Sequence, residues 1–167
     1  MFSHYFNLPK KKEKKLASEI YFKIINKSKQ FIEKNNKYFD EVNFKLSFEI
    51  FTLFAIFFIK NIKDLKPNNY KFINDEIINL YVKDLDIMMR ENGISDMKVG
   101  KYVKFYVKKF YYRLKLLDKI YEFENLDNLS NYINKLKISN LSNTLDLSRE
   151  ILDYLQKNKK EIKLFFK

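Results

Sequence analysis

The stretch Asp84-Leu-Asp-Ile-Met-Met-Arg-Glu-Asn-Gly-Ile-Ser-Asp-Met-Lys-Val-Gly-Lys-Tyr-Val-Lys104 decides the fold, because it holds both glycines of the chain, Gly93 and Gly100. Read as backbone chemistry, Asp84 to Asn92 closes one helix, and Gly93 supplies the left-handed residue that commonly follows a helix C-terminus. Ser95 or Asp96 then offers an oxygen to the free N–H groups of a second helix. The expectation is a tight corner between two helices, an αα-hairpin.

Working outward, the helix before the corner spans about Tyr70 to Asn92 and carries Ile73, Ile77, Leu80, Tyr81 and Met88 on one face. Asp84 falls in the middle of that face. Asp86, about 200° around the helix from Asp84, points away, so the two carboxylates cannot close on one metal ion. A carboxylate on an apolar face needs a partner, and Arg113 or the hydroxyls of Tyr111 or Tyr112 are the expected ones. After the corner, Val99, Val103, Tyr106, Phe110, Leu114 and Leu117 step by four and three along a helix from about Met97 to Tyr121. Lys101, Lys104, Lys108 and Lys115 form a basic stripe opposite. That stripe is either a solvated face or a docking surface for acidic or phosphate-bearing partners.

Towards the N-terminus, Ile50-Phe-Thr-Leu-Phe-Ala-Ile-Phe-Phe-Ile59 is the most apolar segment, bounded by Glu49 and Lys60. It is about half the length that a membrane span requires, so it is expected to be the central core helix. Pro67-Asn68-Asn69 breaks the chain after it. Leu16, Ile20, Ile24 and Phe31 recur at helical spacing in a first helix from Leu16 to about Glu33. Met1 to Lys15, with its run Lys10-Lys-Lys-Glu-Lys-Lys15, reads as an irregular basic arm with no export signal in view. Beyond Asn125 come a short helix near Leu126–Leu136, a loop from about Ile138 to Thr144, and a last helix from about Leu147 to Phe165. The predicted architecture is all-α: a basic arm over 1–15, and over 16–167 a single compact domain of five to six helices around the apolar one.

Composition removes most catalytic classes. There is no cysteine, and the one histidine is His4, so thiolate chemistry, imidazole metal sites and histidine acid–base catalysis have little to work with. Paired carboxylates near a pocket and a glycine-rich phosphate loop are also missing, and neither an enzyme nor a cofactor is expected. The net charge of +12 raises nucleic acid or an anionic membrane as partners. Lysine, asparagine and isoleucine are abundant while Arg90, Arg113 and Arg149 are the only arginines, a bias that an AT-rich genome produces. The lysine-rich helix after the corner has the outline of a helix-turn-helix reader but lacks the Asn, Gln and Arg that read base edges, so direct DNA binding is not expected.

The order Asp84, Asp86, Arg90, Glu91, Gly93, Asp96, Val99, Lys101, Val103, Lys104, then Phe110, Tyr111 and Arg113, resembles the central motif of the ubiquinol–cytochrome c chaperone family. These are alphaproteobacterial proteins and their mitochondrial relatives. The family pattern runs roughly Asp-x-Asp-x-x-x-Arg-Glu-x-Gly-x-x-Asp, then Val-x-Lys-x-x-Lys, then Phe-Tyr-Gly-Arg. The match has no gap. It departs at Tyr112, where the family usually has glycine, and in the preceding helix, where Asn43-Phe44-Lys45 and Ile50 replace an Arg-Phe-Asp and the His of a later Leu-His. A weaker likeness runs from about Ser18 to about Leu164.

The resemblance implies a non-catalytic chaperone that binds newly made cytochrome b and promotes assembly of the ubiquinol–cytochrome c reductase (bc1) complex. It implies residence at the inner membrane on the cytoplasmic side, or on the matrix side in an organelle. In mitochondrial relatives a small partner protein and the ribosome are involved. The motif residues, with Lys108 of the basic stripe, are then expected to bind a partner or to hold the motif together. Without the resemblance, the residues alone describe a basic all-α domain that binds nucleic acid or the ribosome.

Overall fold

The computed structural model describes residues 3–119, 125–139 and 143–166, with the backbone alone for 3–10 and 118–119. Among these residues the chain forms α1 (Ser3–Lys34), a single 3₁₀ turn (Asn36–Tyr38), α2 (Phe44–Leu65), α3 (Tyr70–Glu91), α4 (Asp96–Lys119), α5 (Leu126–Leu136) and α6 (Thr144–Leu164). No strand occurs among them. The helices build the one compact all-α domain expected.

α2 is the element the others surround: α1, α3, α4 and α6 all pack on it. Its run from Ile50 to Ile59 is buried throughout except for the half-buried Phe51. Phe54 and Phe58 lose all contact with solvent. A helix apolar all round gains nothing from facing water, so burial on every side is its stable placement. Asn43 starts it, its side chain accepting the Leu46 N–H at 3.0 Å. Lys66 ends it in the left-handed region, φ 46°, and Pro67 follows. No described helix is long and apolar enough to cross a membrane.

Around this axis, α1 packs on α3 as well as α2, α4 packs chiefly on α3, and α5 packs on α6. α6 is tied to α1 by aromatic and ionic contacts: the Tyr154 ring meets Phe31 at 5.3 Å, and Lys23 and Lys27 both reach Glu161, at 2.8 and 3.0 Å. Those two lysines hold the Glu161 carboxyl below its ordinary value, with burial opposing them. Asn125 caps α5 by accepting from the N–H groups of Asp127 and Asn128.

Three expectations need correction. The basic segment before Leu16 is helical from Ser3, continuous with α1. Its lysines are straight-chain residues that lose little rotamer freedom in a helix, and Asn69 donates to Glu13 at 2.6 Å, fastening the segment to the α2–α3 connection. The buried face of α3 follows Ile73, Ile77, Tyr81, Leu85 and Met89, with Leu80 and Met88 half-buried against the core as expected, while Asp84 is half-buried beside that face rather than in its middle. Finally, Glu49 and Lys60, read as the polar ends of the apolar run, are themselves buried.

Candidate functional site

The corner is built as a Schellman closure. Gly93 stands at φ +78°, its N–H bonding the Arg90 carbonyl at 2.9 Å while the Ile94 N–H reaches back to Met89 at 3.1 Å. Gly100 differs: it sits in the second turn of α4 with no unusual φ and open space where a Cβ would point. Arg90 clips the corner from outside. Its Nε donates to Asp86 Oδ2 at 2.7 Å, and its Nη1 bonds Asp96 at the start of α4. Thus the half-buried Asp86 and the exposed Arg90, Gly93 and Asp96 form one structural joint, with Glu91 exposed beside it. The guanidinium is held more firmly protonated by the hydrogen bond and charge of Asp86, then by Asp96. Asp96 also faces the positive end of the α4 dipole.

Asp84 and Arg113 do not meet. The Tyr21 hydroxyl of α1 donates to Asp84 Oδ2 at 2.7 Å, in place of Arg113, Tyr111 or Tyr112. Burial, and then this bond, push the Tyr21 phenol well above its ordinary value. Arg113 turns towards α2, where its Nε and Nη2 bond both oxygens of Glu49 at 3.1 and 3.0 Å. Lys109, one turn earlier, reaches the same carboxylate at 2.7 Å. Glu49 is 1% exposed, so a full anionic charge inside the fold is matched by two cations from one face of α4. Burial pulls the Arg113 guanidinium towards neutrality, but the bonds and charge of Glu49 outweigh it and its pKa rises. Phe110 lies wholly buried between the two cations in sequence, its ring 5.2 Å from Tyr81.

Sequence reading missed both partners. In the sequence Glu49 only bounds the apolar run. The available signal was its helix face, since Leu46 and Leu53, three residues before it and four after, set it on an apolar side where a cation has to come from another helix.

A cavity of about 500 Å³ opens between α1, the segment before α2, α2 and α3. Its walls are mainly apolar, with Tyr21, Ile25, Phe44, Phe48, Phe51 and Met88 among them, and Asp84 and Glu33 contribute carboxylates. No residue of α4 lines it. Its size lies within the roughly 300–1,000 Å³ of ligand-binding clefts. Chemically it can bury bulky apolar groups and offer them the Asp84 carboxylate, which already accepts from Tyr21, with Glu33 and Lys29 also on its lining. Tyr21, Phe44 and Phe51 were not singled out from the sequence, because a cavity is a property of how three helices diverge.

The outer face of α4 carries Lys101, Lys104, Lys108 and Lys115, all exposed as expected. Tyr111 is exposed among them, with Met97, Tyr102, Phe105 and Tyr112. Tyr112 replaces the family's usual glycine without crowding, since its ring stands in solvent over the Arg113 guanidinium at 5.8 Å.

A helical domain with an apolar cleft, a charge-locked interior and a basic outer helix is a binding protein in outline. Residues 40–157 match the model of the ubiquinol-cytochrome C chaperone family, and the chain belongs to that family. The crystal structure of the Cbp3 homolog from Brucella abortus is similar to it with a TM-score of 0.72 at 19% identity, covering 94% of this chain and 89% of that one. At that identity the likeness shows the fold. No curated protein sequence matches the chain.

Proposed function

We propose that this chain is a non-catalytic assembly chaperone that binds newly made cytochrome b and promotes assembly of the ubiquinol–cytochrome c reductase (bc1) complex. Membership of the chaperone family supports the reading, and the observation that carries it to a mechanism is the apolar cleft between α1, α2 and α3. Cytochrome b is a highly apolar client, and until haem and partner subunits arrive its helices need an apolar surface other than one another. A client helix laid in the cleft would bury its apolar side chains against Phe44, Phe48 and Phe51, in the helix-in-groove manner. Asp84 would accept one hydrogen bond from it and so fix its register. The protein would work peripherally at the inner membrane, on the cytoplasmic side in a bacterium or the matrix side in an organelle. A small partner protein and the ribosome are proposed as further contacts.

Filling the cleft tests this. Ser47 is exposed and Met88 half-buried on its lining, so Ser47→Trp and Met88→Trp should occupy the space while altering stability by about 1 kcal/mol or less. Affinity-tagged double variant, purified from native cells, should bring down several-fold less cytochrome b than wild type. Undiminished recovery, with unfolding curves matching wild type, would remove the cleft from the account.

A further inference from the structure

The cleft leaves α4 unused, and α4 has an unusual outer surface. From Met97 to Leu117 it contains no acidic residue and seven cations: Lys98, Lys101, Lys104, Lys108, Lys109, Arg113 and Lys115. Two of these, Lys109 and Arg113, are neutralised inward by Glu49. The other five are exposed and have no ion-pair partner among the described residues.

Interleaved with them are apolar and aromatic side chains that the fold has not covered. Met97 is 97% exposed, and Phe105 and Tyr112 are each 58% exposed. Met97, Lys101, Lys104, Lys108, Tyr112 and Lys115 step by fours and threes, so they follow one line along the helix. With Phe105 and Tyr111 they occupy a sector about 120° wide, opposite Val99 and Phe110, and the line is about 27 Å long at the usual rise. A solvated face would not need Phe105 and Met97 set among its lysines.

We propose that this face of α4 docks in the plane of an anionic phospholipid bilayer, its lysines at the level of the phosphates and Phe105, Tyr112 and Met97 inserted among the head groups. Five unpaired cations complement the negative surface, and lysine stems can lie along apolar neighbours while their ammonium groups stay in water. Aromatic residues favour that same interfacial depth. No described helix can cross a membrane, so contact through these residues is contact from the side, as an interfacial helix makes it. RNA fits less well. Single-stranded nucleic acid is held in a basic groove with stacking platforms, whereas this is the convex side of one straight helix, and its one arginine is spent on Glu49. The inference deepens the proposed function by naming the face that meets the membrane; it rests on that reading for its setting only, because the test needs no client.

The test is sedimentation of the full chain with vesicles of phosphatidylcholine alone and of phosphatidylcholine mixed with phosphatidylglycerol. Wild type should bind the mixed vesicles, prefer them to the neutral ones, and lose affinity as salt is raised. Each lysine near such a surface is worth about fivefold in partitioning, so Lys101→Glu, Lys104→Glu, Lys108→Glu and Lys115→Glu together should weaken binding by about 100-fold or more. The same four changed to Gln should weaken it less, with wild-type circular dichroism. Phe105→Ser with Tyr112→Ser leaves the net charge alone and should still weaken binding to the mixed vesicles several-fold. The proposal is overturned if wild type shows no preference for anionic vesicles, if the fourfold variant binds as wild type does, or if the aromatic variant does. Binding to ribosomal RNA without binding to vesicles would overturn it in favour of a ribosome-facing helix.

Discussion

Arg113 and Glu49, 64 residues apart in sequence, are joined by two nearly parallel hydrogen bonds that lock α4 onto α2. The fork of a guanidinium matches the two oxygens of a carboxylate, and Lys109 adds a second cation to the same group. This triad, rather than an Asp84–Arg113 pair, is the charged cluster that joins α4 to α2 inside the domain.

The triad should respond unevenly to its own loss. Arg113→Met leaves Glu49 still paired with Lys109, and should destabilise by about 1–3 kcal/mol through the lost charged hydrogen bonds. Lys109→Met should do less. The two together strand a buried carboxylate, and the loss should reach about 3–5 kcal/mol, with much of it recovered on adding Glu49→Leu. Urea unfolding of the singles, the double and the triple checks this; a double equal to the sum of two small losses would mean that Glu49 is not held by either cation.

The two glycines should behave oppositely. Gly93 needs its left-handed φ of +78°, so Gly93→Ala should lower stability by about 1–2 kcal/mol. Gly100 has nothing near its missing Cβ, and Gly100→Ala in a helix interior should raise stability by about 0.5–1 kcal/mol. Melting temperatures shifting in opposite directions are the expected result. A loss at Gly100 would contradict the open space around it.

Alkaline pH should unfold the protein from the tyrosines. Burial is the main cause holding the Tyr21, Tyr81 and Tyr132 phenols above their ordinary value of 10.0, with Asp84 adding to it at Tyr21. A group whose pKa is raised in the folded state contributes stability that is complete below its unfolded value and lost as pH rises beyond it. Stability should therefore be level towards pH 10 from below and fall above it, and Tyr21→Phe should make the fall shallower. Phenolate absorbance rising in full before any loss of helix would contradict this.

The helices were legible because their apolar residues recur with the helical period, which depends only on near neighbours in sequence. α4 follows that pattern closely, and α2 stands out instead as one continuous apolar run. The corner was legible for the same reason: Gly93 is a backbone requirement of a local closure. What could not be read was each partnership between helices. Asp84 goes to Tyr21 and Arg113 to Glu49 because of how α1 and α2 are rotated against α3 and α4, and no local spacing encodes that rotation. The aromatic residues of α4 were visible as letters, but their exposure depends on no other helix covering them. The start of α1 was misplaced for a different reason, since a lysine run favours helix while showing no apolar period.

The account as a whole rests on cytochrome b being the client, and the most direct measurement is its steady-state amount in cells from which this gene has been deleted. The account predicts that cytochrome b and the assembled bc1 complex fall together while cytochrome b mRNA is unchanged, and that the wild-type gene restores both where the Ser47→Trp, Met88→Trp variant does not. Normal cytochrome b and a normal bc1 complex in the deletion strain would contradict it.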